Sequence, residues 1–134
     1  MIVADASLLV SLLVDGGSAG HTARKIFFDA GGVSVPDLAC VETVSVIRKQ
    51  WLRGTIDVAR CQEALEDLVN LPLSVYPTLP LMARAFQLRA NVTTYDACYV
   101  ALAEALRCDL VTGDHRLAQT IGPKCQIRTI NEFM

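Results

Sequence analysis

Five short strand-length segments, most of them apolar, recur along the chain with helical patterns between them, and this alternation narrows the fold more than any other feature. They are Ile2-Val3-Ala4, Val33-Ser34-Val35, Leu73-Ser74-Val75, Leu110-Val111-Thr112 and Gln126-Ile127-Arg128. Each is strand-length, and most are bounded by Gly, Pro or polar residues, the pattern of a buried strand. Periodic apolar positions predict helices at about 7–14, 20–30, 36–53, 57–70, 79–90, 94–107 and 115–121. Pro36 is placed in the first turn of the third helix, and Gly54 separates the third from the fourth. Short buried strands alternating with helices predict an α/β fold with a parallel sheet. Ligands of such sheets gather beyond the carboxyl ends of the strands.

At 134 residues the chain is expected to form a single domain, 1–134, with a core that needs no staples. Apolar residues make up 52%, and the mean hydropathy is +0.38. Part of that surplus is expected to serve a partner or a second copy. The net charge of −2 argues against holding nucleic acid by bulk positive charge, but leaves a metal-assisted nuclease open. Five cysteines form no C-x-x-C pair and read as free, mostly buried thiols of a reducing cytosol. No segment approaches the ~20 apolar residues of a membrane span, and no basic leader opens the chain, so a cytoplasmic protein is expected. The stretch Gly16 to Gly20 reads as a flexible connector. It lacks the preceding strand and the Lys-Ser/Thr of a phosphate-binding loop.

Four acids stand where carboxylates are out of character: Asp5, Glu42, Asp96 and Asp114. Asp5 follows the first strand, Asp114 follows the Leu110 strand, and Asp96 opens an apolar helix after Thr93. Each of these three also fits a helix cap or first-turn acid. Glu42 is the only charge in Leu38 to Ile47, so its burial would require a partner, a proton or a metal. Ser7 and Thr112 stand close enough in sequence to Asp5 and Asp114 to add hydroxyls. Two carboxylates about 4 Å apart repel by roughly 4 kcal/mol at an effective dielectric of ~20. A hard divalent cation with oxygen ligands, Mg²⁺ or Mn²⁺, relieves that repulsion.

Val3-Ala-Asp5-Ala-Ser7, Val35-Pro-Asp-Leu-Ala-Cys-Val-Glu42, Thr94-Tyr-Asp96-Ala-Cys-Tyr-Val-Ala-Leu-Ala103 and Leu110-Val-Thr112-Gly-Asp114-His-Arg-Leu117 together resemble the PIN-domain ribonucleases. Within that family the resemblance is to the VapC-type toxins of toxin–antitoxin pairs. It implies a three-layer α/β/α fold around a parallel sheet of about five strands. It also implies an Mg²⁺ site in which Mn²⁺ substitutes, and endonucleolytic hydrolysis of RNA. By matching motif, Asp5, Glu42, Asp96 and Asp114 would be the acidic quartet that binds the metal and carries catalysis, with Ser7 and Thr112 in support. A cognate antitoxin and a homodimer are implied as partners. Some relatives carry a further acid where this chain has Arg116, which leaves one metal or two open.

Arg48, Lys49, Arg53, Arg84, Arg89, His115 and Arg116 are candidates to position RNA and equally for solvated surface charges, and Trp51, Tyr95 and Tyr99 are candidates to stack bases, with core packing the stronger expectation for Tyr99. His21 and His115 are too isolated for a zinc site. Leu8, Leu9, Leu12, Leu13, Phe27 and Phe28 are candidates for an antitoxin groove and equally for the core. Two rival readings remain. One is a phosphatase with Asp5 as covalent nucleophile, against which stand Ser7 in place of a second acid and a shortage of lysines. The other is a catalytically silent binding module whose acids are caps.

Overall fold

The computed structural model describes residues 1–134. Five strands, β1 (Ile2–Ala4), β2 (Val33–Pro36), β3 (Leu73–Tyr76), β4 (Asp109–Thr112) and β5 (Ile127–Thr129), form one all-parallel sheet in the order β3-β2-β1-β4-β5. Helices α1 (Ala6–Val14), α2 (Ser18–Asp29), α3 (Leu38–Leu52) and α4 (Val58–Asn70) connect β1, β2 and β3. A 3₁₀ turn, α5 (Met82–Gln87) and α6 (Thr94–Leu106) lead back to β4, and α7 (His115–Ala118) lies between β4 and β5.

Crossovers between parallel strands are right-handed. The chain steps one way across the sheet from β1 to β3 and the other way from β4 to β5, so the two helix sets cover opposite faces. The result is three layers, α/β/α. The direction of winding switches between β1 and β4, and the crevice beyond their carboxyl ends is the place such sheets offer a ligand.

The core sits where α1 and α6 sandwich β1 and β4: Val3, Ala4, Leu8, Leu9, Val100, Leu110 and Val111 are buried. Fully burying a Leu or Val contributes roughly 1.5–3 kcal/mol, which is why a 3-residue β1 suffices. Leu8, Leu9, Leu12, Leu13 and Phe27 belong to this core, so they are not available to a partner; of the six proposed groove residues only Phe28 is exposed.

Several boundaries depart from the sequence reading. Pro36 ends β2 instead of opening α3. Its missing N–H costs nothing there, because β1 pairs with β2 only through Val33 and Ser34. The expected helix at 79–90 divides into a 3₁₀ turn (Leu79–Leu81) and a six-residue helix, with Pro80 at the start. The glycine-rich connector is partly helix: α2 begins at Ser18, and Gly20 lies inside it, against the end of α1. Gly54, at φ +74, does separate α3 from α4. All five cysteines are free, and no helix is long and apolar enough to cross a membrane.

Candidate active site

Asp5 is the residue after β1, and its backbone N–H still bonds to the Val111 carbonyl of β4 at 3.3 Å. Its side chain caps α1 by accepting from Leu8 N–H at 3.3 Å, so the cap and the candidate ligand are one carboxylate. Two hydroxyls close on it as well: Ser7 donates to Oδ1 and Thr112 to Oδ2. Ser7 in turn accepts from Gly113 N–H at 2.7 Å, and Thr112 accepts from Asp114 N–H at 3.0 Å. Ser7 and Thr112 thereby pin the β4–α7 turn to Asp5.

Asp5 is only 6% exposed. Burial pushes its carboxyl above the usual range; the Ser7, Thr112 and Leu8 hydrogen bonds pull it back, and the charge of Asp96 adds to the rise. Asp96, half-buried in the first turn of α6, is likewise raised, first by burial and then by the charge of Asp114. Its backbone N–H bonds to Thr93 Oγ1 at 3.2 Å, which sets the helix start. Asp114 caps α7, accepting from Arg116 and Leu117 N–H through Oδ1 alone. Asp96 therefore stands near enough to Asp5 on one side and to Asp114 on the other for their charges to be felt, at the carboxyl ends of β1 and β4.

Glu42 joins them through a residue the sequence reading favoured as core. Tyr99 is buried on α6, and its hydroxyl donates to Glu42 Oε1 at 2.6 Å. Burial pushes the Tyr99 phenol up, followed by the Glu42 hydrogen bond and the charges of Glu42 and Asp5. Glu42 itself is not engulfed: its neighbours Val41, Val44 and Ser45 are exposed, so α3 is apolar on a surface. Asp37 is an acid beside this group that the sequence pattern alone did not single out. It follows β2 as Asp5 follows β1, and with Glu42 it faces Cys98, whose thiol is raised by burial and then by those two charges. Its position directly after a buried strand is the signal that would have found it.

No three His, Cys, Asp or Glu side chains stand close enough to hold an ion unaided. The donors nevertheless suit a hard cation, being oxygens on mutually repelling carboxylates. Mg²⁺ commonly takes one or two carboxylates and keeps several waters, which matches an open edge with Asp114 Oδ2 uncommitted. The donor set therefore fits Mg²⁺ or Mn²⁺. A cavity of about 370 Å³ between α2 and the amino-terminal edge of the sheet contains none of the four acids.

Among the candidate RNA contacts, Tyr95 is 68% exposed beside Asp96, and His115 and Arg116 are exposed beside Asp114. Arg48, Lys49, Arg53 and Trp51 lie exposed toward the far end of α3. Arg89 rests its guanidinium 4.4 Å over the Phe86 ring. Arg84 is committed elsewhere: it grips Glu104 through two bonds, at 2.7 and 3.1 Å, and the Gly122 carbonyl. Burial pushes the Glu104 carboxyl up, but the Arg84 bonds and the Lys124 N–H outweigh it and hold the group below the ordinary range. Tyr99, enclosed in the core, is not placed to stack a base. The phosphatase reading gains no support: the side chain two residues after Asp5 is the Ser7 hydroxyl, bonded to Asp5, where that chemistry wants a second acid.

Comparison with known proteins gives the family. Residues 2–122 match the family model described as PIN domain. The chain is 38% identical over 130 residues to VapC ribonuclease Mb0985 of Mycobacterium bovis, covering 97% of this chain and 98% of that protein. Ribonuclease VapC12 of Mycobacterium tuberculosis is 35% identical over 130 residues, covering 97% and 99%. Among solved structures, PAE2754 from Pyrobaculum aerophilum has a TM-score of 0.72 at 25% identity, covering 98% of this chain and 84% of that one. DNA-bound VapBC from Salmonella typhimurium has a TM-score of 0.69 at 14% identity over 96% and 97%, a likeness of fold. The family match over residues 2–122, the relatives that cover nearly the whole chain and the all-parallel sheet together place this chain in the PIN-domain family, among its VapC-type ribonucleases.

Proposed function

We propose that the chain is a Mg²⁺-dependent endoribonuclease, with Mn²⁺ able to substitute, acting as the toxin of a toxin–antitoxin pair in the cytoplasm. The observation that carries the chemistry is the placement of Asp5, Asp96 and Asp114 at one sheet edge, Asp5 after β1, Asp96 in the first turn of α6 and Asp114 after β4. Such a site is unfavourable empty and favourable around a cation. When bound, the ion lowers the pKa of a water and neutralises charge on the phosphate.

The chain's own residues do the rest. Asp5 and Asp96 would hold the ion and Asp114 would complete its surroundings, while Ser7 and Thr112 fix the orientation of Asp5. Glu42 ligates or accepts the proton of the attacking water. The water oxygen forms a bond to phosphorus, one P–O bond of the backbone breaks, and the departing oxygen takes up a proton. Tyr95, His115 and Arg116 stand closest to the acids to receive RNA. The relatives' names and the toxin–antitoxin complexes of like fold support a cognate antitoxin as partner. A second copy of the chain is the other partner expected. The exposed apolar residues available to these partners include Phe28, Val41, Val44 and Trp51.

The test is cleavage of RNA in ¹⁸O-labelled water. Attack by water is expected to leave one ¹⁸O in each new terminal phosphate, no 2′,3′-cyclic phosphate, and no activity in excess EDTA. Cyclic phosphate ends, or undiminished cleavage in EDTA, would contradict it.

A further inference from the structure

We propose that Tyr99 is a positioning residue of this centre: its phenol commits one oxygen of Glu42, so that only the other faces the acidic edge. The inference rests on the role given above to Glu42. Tyr99 and Glu42 are 57 residues apart, on α6 and α3, and meet at 2.6 Å across the end of the sheet. Glu42 makes no other side-chain hydrogen bond, so this contact alone fixes where its carboxylate points. A free Glu side chain keeps enough rotamer freedom to spread it over several positions.

Packing alone does not call for the hydroxyl. Tyr99 is 1% exposed among Ala97, Val100, Leu102 and Ala103, where a phenylalanine ring would fill the same space. A buried phenol has to find a partner, and this one finds Glu42. A neutral donor orients the carboxylate without removing its charge, which an arginine in that place would do. With Oε1 committed, Glu42 presents Oε2 in one direction.

The test is Tyr99→Phe, read in two ways. In crystals of the metal-free protein, Glu42 should lose its single position while the fold is retained. In kinetics, kcat should fall about 10-fold with KM for RNA little changed, as when a partner of a ligand is removed. In a Glu42→Gln background the same substitution should cost less than about 2-fold in kcat. Restoring a donor with 4-aminophenylalanine at position 99 should recover most of the loss, and this variant also serves should Tyr99→Phe fold poorly. Glu42 held unchanged in Tyr99→Phe crystals, or an equal kinetic loss in both backgrounds, overturns the proposal. Full cleavage by Glu42→Gln would instead remove Glu42 from the chemistry, a separate failure that leaves the crystal readout to judge the contact.

Discussion

Asp5→Asn and Asp96→Asn proteins should stay folded and lose RNA cleavage in Mg²⁺ by at least about 100-fold. A bound ion supplies several kcal/mol of stabilisation to the developing charge, and each factor of ten is about 1.4 kcal/mol. Asparagine keeps the shape and a carbonyl oxygen but not the charge that draws the cation. Near wild-type cleavage by either variant would dismantle the assignment. The same two residues set a pH signature in EDTA. Their folded-state carboxyls lie above the ordinary 3.8, so their contribution to stability is full below that value. It is lost as pH rises through the raised values. Metal-free melting temperature should therefore decline with rising pH over that window, and Asp5→Asn should flatten the decline.

Gly20→Ala should destabilise the protein by about 3 kcal/mol or more, the upper end of overpacking costs. A Cβ at Gly20 would lie 1.8 Å from the Asp15 carbonyl oxygen and 2.7 Å from its carbon, both backbone atoms. Asp15 has little freedom to retreat, since it caps α1 through its N–H and its carbonyl accepts from Arg24 at 3.1 Å. The roughly 1 kcal/mol by which alanine outranks glycine in a helix is too small to compensate. Thermal melts should show a fall of roughly 10 °C. Gly16→Ala, with nothing within 4 Å of its added Cβ, should melt within a degree or two of wild type. Equal melting of the two variants would refute the close α1–α2 approach.

How legible this was depends on the residue. Asp5, Asp96 and Asp114 could be located from sequence because each abuts an apolar run at a strand-to-helix change. The parallel sheet was legible from the spacing of the five strand-length segments, all of which lie within a residue of their strands' bounds. Glu42 was located on a mistaken premise. The chain around it is apolar, but Val41 and Val44 are exposed, and the carboxylate is held by Tyr99 rather than engulfed. One-dimensional polarity cannot separate a core face from an apolar surface face. For the same reason Leu8 to Leu13 fitted a groove and the core equally well. Arg84 looked like a free cation because its partner, Glu104, is 20 residues away. Pro36 followed a general preference for helix first turns, which the register of β2 against β3 overrode.

The most direct measurement is calorimetric titration of Mn²⁺ into the wild-type protein and into the Asp5→Asn/Asp96→Asn double variant, with thermal melts of both. Wild type should bind, and at one hundred times its Kd should gain about 2.7 kcal/mol, or roughly 10 °C in Tm. The double variant should do neither. A wild-type protein without heat or thermal shift, or a double variant that binds as well as wild type, would show that these carboxylates do not form a cation site.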